Sequence, residues 1–357
     1  MNLVKKRIVQ YIKFTDRGNY MNNLELNNKI DKMNNLVELH LHLDGALSID
    51  NCKKIAKIQN IDIPDDDEIS KMMVVRNDCN DLNEFLTKFE FPLSLLQAPE
   101  GIRNAVKNLE DELVKQGIIY AEIRFAPQLH AKRGLSQDQV VAAAIEGHNS
   151  SKLRSNLILC CMRGNNNHDE NMETVRIAKK YLGEGVCAID LAGAEALYPT
   201  KDFEDIFMYA KELDIPFTIH AGEADGPTSI YDAIRFGAKR IGHGVRSIED
   251  YNLVNTILEK DITLEICPTS NICTSVYDKI EDIPIKEFID KGIKITINTD
   301  DPTVCNTKLK DELKLVVNTF NLTYDDILKL QLNAINASFA SKEVKEEITN
   351  IICNLKD

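Results

Sequence analysis

Two histidines and an aspartate alternate with leucines in Val37-Glu38-Leu39-His40-Leu41-His42-Leu43-Asp44-Gly45. That period of two marks a strand with unlike faces: His40, His42 and Asp44 on one, Leu39, Leu41 and Leu43 on the other. Side chains two residues apart on a strand lie about 7 Å apart along the backbone, close enough for two imidazoles to converge on one ion. Hydrogen-bonded histidines on a wet sheet face satisfy the same pattern, so the rest of the chain decides. His220 and Glu223 lie in Ile219-His220-Ala221-Gly222-Glu223, His243 sits between two glycines, and Asp300-Asp301 follow Asn298-Thr299. Three histidines and a carboxylate (His40, His42, His220 and Asp300) make a borderline N/O ligand set that suits zinc before iron, cobalt or manganese. A bound metal lowers the pKa of water to about 7, which supplies hydroxide at neutral pH. His243 is then placed to hold that water, Glu223 to protonate a substrate, and Asp301 to share a hydrogen bond with it. Metal-assisted hydrolysis follows from this set; the substrate does not.

These residues need a scaffold that brings them to one place. Strand patterns begin near residues 37, 117, 156, 186, 216, 240, 262 and 294, with helical stretches between them. Eight alternating strands and helices outline a (β/α)₈ TIM barrel, with a helical insertion after strand one and extra helices at the C-terminus. In that fold chemistry sits at the C-terminal ends of the strands, where the unusual residues fall. An open doubly wound sheet is the alternative, but no glycine-rich phosphate loop follows the first strand. Within the insertion Leu82, Phe85, Leu86 and Phe89 form one stripe of a short helix, either core or a lid over a pocket. His130, His148 and His168 fall in loops or helix patterns and are assigned structural or surface roles.

The 357 residues are 43% hydrophobic and 28% charged, ordinary for a chain with a sizeable core. A net charge of −13 argues against a nucleic-acid or anionic-membrane binder. Nine cysteines without a Cys-x-x-Cys pair suggest free thiols in a reducing cytoplasm. No apolar run reaches 18 residues and no secretory h-region is present. Residues 1–33 read as a flexible leader, a loosely docked helix or an over-long start, and residues 34–357 as a single catalytic domain.

Five ordered stretches carry a resemblance: His40-Leu41-His42-Leu43-Asp44-Gly45, Ile219-His220-Ala221-Gly222-Glu223, Gly242-His243-Gly244, Cys267-Pro268-Thr269-Ser270-Asn271 and Asn298-Thr299-Asp300-Asp301-Pro302. Together they resemble the adenosine deaminase family of metal-dependent amidohydrolases, over roughly residues 35 to 340. The resemblance implies one zinc ion per subunit, held by His40, His42, His220 and Asp300. It implies that a zinc-activated water, held by His243, attacks C6 of the adenine ring while Glu223 protonates N1. It also implies that Asp301 engages N7, that the Gly193 N–H engages N3, and that His42 borders the substrate. Asp44 resembles the residue of adenosine deaminases that contacts the ribose 5′-hydroxyl, where relatives acting on free adenine carry Glu. The 85–89 stretch is similar to the family's hydrophobic gate, which moves Leu82, Phe85, Leu86 and Phe89 from core toward lid. Ser270 and Asp190 are placed behind the ligands. Ala194 stands where many members carry Asp, so no side-chain role carries over there.

The expected activity is hydrolytic deamination of adenosine and 2′-deoxyadenosine to inosine and deoxyinosine by a monomer or weak oligomer. Adenine or N6-modified purines are the alternative substrates, and an inactive binding protein the alternative class. A dinuclear amidohydrolase needs a bridging lysine at the end of strand four, where the chain has Asp190-Leu191-Ala192-Gly193. The nucleic-acid deaminases need Pro-Cys-x-x-Cys, which Cys267-Pro268-Thr269-Ser270 does not supply. An AMP deaminase needs basic groups near the ribose, where Asp44 repels phosphate.

Overall fold

The structure is a computed structural model that describes residues 23–75 and 82–354. Eight strands appear near the expected places: β1 (Leu36–His42), β2 (Ile118–Phe125), β3 (Arg154–Met162), β4 (Val186–Ala192), β5 (Thr218–Ala221), β6 (Arg240–His243), β7 (Thr263–Ile266) and β8 (Lys294–Ile297). Neighbours pair in parallel as two runs, β1 to β4 and β5 to β8. Single bridges, Ile189 to Phe217 and Leu41 to Asp300, join the runs at both seams and close the barrel. At the second seam Asp300 N–H donates to His40 O and His42 N–H to Asp300 O, each at 2.9 Å.

Alternation along the strands sorts the side chains. Leu39, Leu41, Ile123, Ile189, Leu191, Ile241, Leu264 and Ile295 join the large apolar cluster shared with the surrounding helices. The alternate positions hold Glu38, Glu122, Arg124, Asp190, Thr218, Arg240, Glu265, Thr296 and Asn298, all of them fully buried. A barrel of this type is usually filled with branched aliphatics; here ion pairs fill much of it. Arg124 Nη1 donates to Asp190 Oδ2 at 2.9 Å, and its Nη2 to Glu265 Oε2 at 2.9 Å and Leu39 O at 2.7 Å. Arg240 Nε donates to Glu265 Oε1 at 2.5 Å, and its Nη1 pairs with Glu122. Phe339 braces this network: its ring lies 4.2 Å from the Arg240 guanidinium and its N–H donates to Glu122 Oε1 at 2.5 Å.

The first crossover holds the helices Ile49–Gln59, Asp66–Met73, Leu82–Thr87, Glu90–Leu95 and Pro99–Lys115. The expected stripe through Phe89 is not one helix. A helix running through Pro92 would lose the bond to the Lys88 carbonyl and clash with it. The chain instead stops at Thr87 and restarts at Glu90, with Phe89 as the N-cap. The helices Leu309–Phe320, Tyr324–Ala337 and Lys342–Cys353 complete the C-terminus.

The end of the expected leader lies within the described residues. Residues 23–32 are helical, and Leu26, Ile30 and Met33, at i, i+4 and i+7, pack on the core, Ile30 with no exposure. Lys314 Nζ pairs with Asp31 Oδ1 at 2.5 Å. Residues 1–22, the rest of that leader, lie outside the described residues. Among the described residues no helix is long and apolar enough to cross a membrane.

Replacing Arg240 by Met leaves Glu122 buried without its cation, which is expected to cost about 3–5 kcal/mol in stability. Denaturant titration reads this directly; a loss below about 1 kcal/mol would show the pair to be worth no more than an exposed one.

Candidate active site

Three imidazoles and one carboxylate meet at the C-terminal rim. His40 Nε2 lies 3.2 Å from Asp300 Oδ1, His42 Nε2 lies 3.3 Å from the same oxygen, and His42 Nε2 lies 3.2 Å from His220 Nε2. One ligand atom from each of the four lies within 4.8 Å of the others. Ligands at 2.0–2.1 Å from a tetrahedral ion stand about 3.3 Å from one another, the spacing found here. The far nitrogens face carboxylates: His40 Nδ1 bonds Glu265 Oε2 at 2.8 Å, and His220 Nδ1 lies at ion-pair distance, 2.9 Å, from Asp190 Oδ2. Such carboxylates hold the proton on Nδ1 and turn the Nε2 lone pair inward. His40 Nε2 is buried with no hydrogen-bond partner, an orphan that a cation satisfies. Ser270 Oγ donates to Asp300 Oδ2 at 2.7 Å and leaves Oδ1 for the cluster.

The electrostatics favour neutral rings at two of the three histidines; at His40 burial and Arg124 are overcome by the pull of Asp300 and Glu265, which raises the ring above its ordinary value. Burial, then the charges of neighbouring histidines, pushes His42 well below its usual range against the pull of Asp300. Burial pushes His220 down to about 4 despite Asp190. Both rings are therefore neutral near pH 7, the form in which an imidazole can take a metal. Burial alone would raise Asp190 and Glu265, but His220 and Arg124 hold the first, and Arg240 and Arg124 the second, well below the carboxylate range. Cys267 also approaches His40 and Asp300. Burial first, then Asp300, Glu38 and Glu265, pushes its thiol well up, so it stays protonated and is a poor ligand.

The candidate proton-handling groups sit beside the cluster. His243 Nε2 lies 3.6 Å from Glu223 Oε2 and 3.7 Å from Asp300 Oδ2, while the Asn271 amide meets its Nδ1 at 3.2 Å. Thr274 Oγ1 donates to Glu223 Oε1 at 3.3 Å. Burial first, then Asp300 and Glu195, raises the Glu223 carboxyl against the pull of His243. Asp301 is pushed well above its range by burial and by Asp300, Asp44 and Glu223, and its buried Oδ1 has no partner. Burial lifts Asp44 to about 6. His243 (φ 58°) and Asp300 (φ 61°) adopt left-handed backbone, which costs a non-glycine residue energy and concentrates at functional sites. Gly45 has a steric reason: a Cβ there would lie 1.8 Å from Asp301 Oδ1.

A cavity of about 310 Å³ opens onto these groups, lined by His42, Asp44, Glu223, His243, Asp300 and Asp301 and by the backbone of Gly193 (φ 105°). Phe85, Leu86 and Phe89 form an apolar wall with Leu93 and Leu129. Leu86 remains 46% exposed while Phe85 is buried at 5%, so the two face different ways. The side chain of Leu82 lies outside the described residues. Of the other histidines, His148 bonds Glu110 Oε1 at 2.9 Å, His130 the Leu96 carbonyl at 3.2 Å, and His168 pairs with exposed Asp205, all away from the cavity.

Three groups of functional weight escape motif reading. Arg124 and Glu265 sit behind the histidines, and their signal is a charge alternating with apolar neighbours inside a strand (Glu122-Ile123-Arg124-Phe125, Thr263-Leu264-Glu265-Ile266). Glu195 gives no such signal.

A closed parallel barrel with three imidazoles and a carboxylate gathered at its C-terminal rim, a raised carboxyl beside them and a cavity opening onto both is the architecture of a hydrolase of amidohydrolase fold. The family model for adenosine deaminase matches residues 35–355. The adenosine deaminase of Haemophilus ducreyi is 43% identical over 323 residues, 88% of this chain and 94% of that one. That of Shewanella woodyi is 38% identical, over 88% and 97%. Among solved structures, the adenine deaminase of Arthrobacter aurescens superimposes with a TM-score of 0.78 at 25% identity, over 90% of this chain and 98% of that one. An arabidopsis ADAL structure with GMP gives 0.79 at 25%, over 90% and 96%. The chain belongs to the adenosine deaminase family and is a hydrolytic deaminase.

Substituting Gly45 by Ala should displace the Asp301 carboxyl and lower kcat/KM for deamination roughly 10²-fold with metal content unchanged. Wild-type kcat/KM in that variant would remove Asp301 from the substrate site.

Proposed function

We propose that the protein converts adenosine and 2′-deoxyadenosine, with water, to inosine or deoxyinosine and ammonia. The observation that carries this reading is the pocket's charge: Asp44, Glu223, Asp300 and Asp301 line it, and no lysine or arginine is among its described lining residues. A 5′-phosphate would find no cation there and would face the Asp44 carboxyl, whereas a ribose hydroxyl finds an acceptor in it. This separates the chain from the nucleotide-bound neighbour and favours the nucleoside.

His40, His42, His220 and Asp300 fit a divalent ion, and their ligand types favour zinc, one per subunit. When bound, such an ion lowers the pKa of a water to about 7 and so makes a nucleophile available at neutral pH. The chain's own residues direct the rest. His243, its ring fixed by Asn271, faces the space between Glu223 and Asp300 where an attacking oxygen must sit. Glu223, kept in its acid form by burial and neighbouring anions, gives its proton to N1 and so makes C6 electrophilic. Asp301, itself protonated, offers a hydrogen bond to N7, and the Gly193 N–H meets N3. As C6 becomes tetrahedral, the water's two protons are shared out: one moves to the amino group, which leaves as ammonia, and one restores the Glu223 carboxyl, leaving a 6-oxo purine with a proton on N1. Phe85, Leu86 and Phe89 keep bulk water from the ring. The free, mostly buried thiols fit a reducing cytoplasm.

Incubation of the zinc-loaded protein with adenosine should give the ultraviolet absorbance fall of inosine formation. Adenine and AMP should turn over far more slowly. Glu223→Gln should lower kcat by about 10²–10⁴-fold, and exhaustive chelation should abolish turnover until zinc is restored. Absence of any absorbance change, or faster turnover of adenine or AMP, would overturn the reading.

A further inference from the structure

Glu195 follows Gly193 by two residues and is 3% exposed, yet makes no ion pair among the described residues. Five donors converge on its carboxylate instead. Oε1 accepts from Gly222 N–H at 2.7 Å and Ser229 Oγ at 2.5 Å. Oε2 accepts from the N–H groups of Glu223, Ala224 and Asp225 at 3.0, 2.8 and 3.0 Å. All five contacts use the carboxyl as an acceptor. Four successive backbone N–H groups aimed at one point form a nest, the concavity that binds anions in other settings. Here the chain fills it with its own side chain. A relay supports the arrangement: Arg163 Nη2 donates to Thr200 Oγ1 at 2.9 Å and to His220 O at 2.6 Å, and Thr200 Oγ1 lies 2.6 Å from Ser229 Oγ.

The turn that holds Glu195 is the one that carries Glu223. Were the nest vacant, the Glu223 carboxyl, carried by the same turn, would be free to fold back onto its own backbone and away from the substrate. We propose that Glu195 is a positioning residue for proton-donating Glu223: by occupying the 222–225 nest it keeps the Glu223 carboxyl directed into the pocket. The inference rests on the reading of Glu223 as proton donor. Glutamine at 195 has nearly the same shape but turns an amide donor against the nest's N–H groups, so it tests the charge rather than the volume.

The test is a double-mutant cycle on zinc-loaded protein with adenosine as substrate: wild type, Glu195→Gln, Glu223→Gln and both together. Glu195→Gln should lower kcat roughly 10- to 100-fold with KM and zinc content little changed. In the Glu223→Gln background the same substitution should cost nothing further, because the group it positions is gone. Wild-type kcat in Glu195→Gln, or an equal loss in both backgrounds, overturns the proposal. Full activity in Glu223→Gln alone overturns the reading of Glu223 instead. If Glu195→Gln does not fold, Ser229→Ala removes a single donor and goes through the same cycle. It is expected to lose kcat only when Glu223 is present, and an equal loss in both backgrounds again overturns the proposal.

Discussion

One guanidinium holds the centre together. Arg124 bridges Asp190 and Glu265, and each of those carboxylates grips the far nitrogen of a cluster histidine, His220 and His40. The cation keeps both carboxylates ionised in a place where burial alone would protonate them. Ionised, they fix the proton on Nδ1 of each ring and leave Nε2 facing the cluster. The tautomers, aim and basicity of two ring nitrogens thus depend on a residue that touches neither ring. Arg124 also donates to the Leu39 carbonyl, so the charge network is tied to the backbone of the strand that presents His40.

Filling a barrel with ion pairs instead of aliphatics has structural consequences. Hydrophobic packing tolerates small shifts, but a buried carboxylate that loses its partner is heavily penalised. The interior therefore admits few arrangements, and the left-handed backbone at His243 and Asp300 is held by neighbours that cannot relax. Phe339 extends this rigidity to the C-terminal segment, which cannot undock without exposing Arg240 and Glu122.

Much of this was legible in the chain. All eight strands begin within two residues of where alternation and helical spacing put them, because each is short, apolar on one face and bounded by polar turns. His42, His220, Asp300, Glu223, His243, Asp301 and Asp44 line one cavity with His40 buried behind them, since strand polarity alone sends strand ends to one rim. What local patterns miss has physical causes. Phe89 fits a helical stripe, but the penalty at Pro92 ends the helix first. Residues 23–33 look polar, yet three apolar side chains at helical spacing suffice to dock them. Arg124 and Glu265 resemble ordinary strand charges until barrel closure places them inside. Glu195 is invisible to any motif because its partners are backbone N–H groups 27 to 30 residues away.

The seam where Asp300 and His40 exchange backbone contact also bears on how the molecule is born. A chain made from its N-terminus exposes β1 first, and that strand waits for β8 before its second edge is covered. Leu39 and Asn298, bonded across this seam, are 259 residues apart. Throughout synthesis the emerging protein therefore carries an open sheet edge flanked by two unengaged histidines. Contacts of such long range form late, after most of the loop-closure entropy has been lost. The cluster that includes Asp300 is therefore complete only once β8 has joined β1.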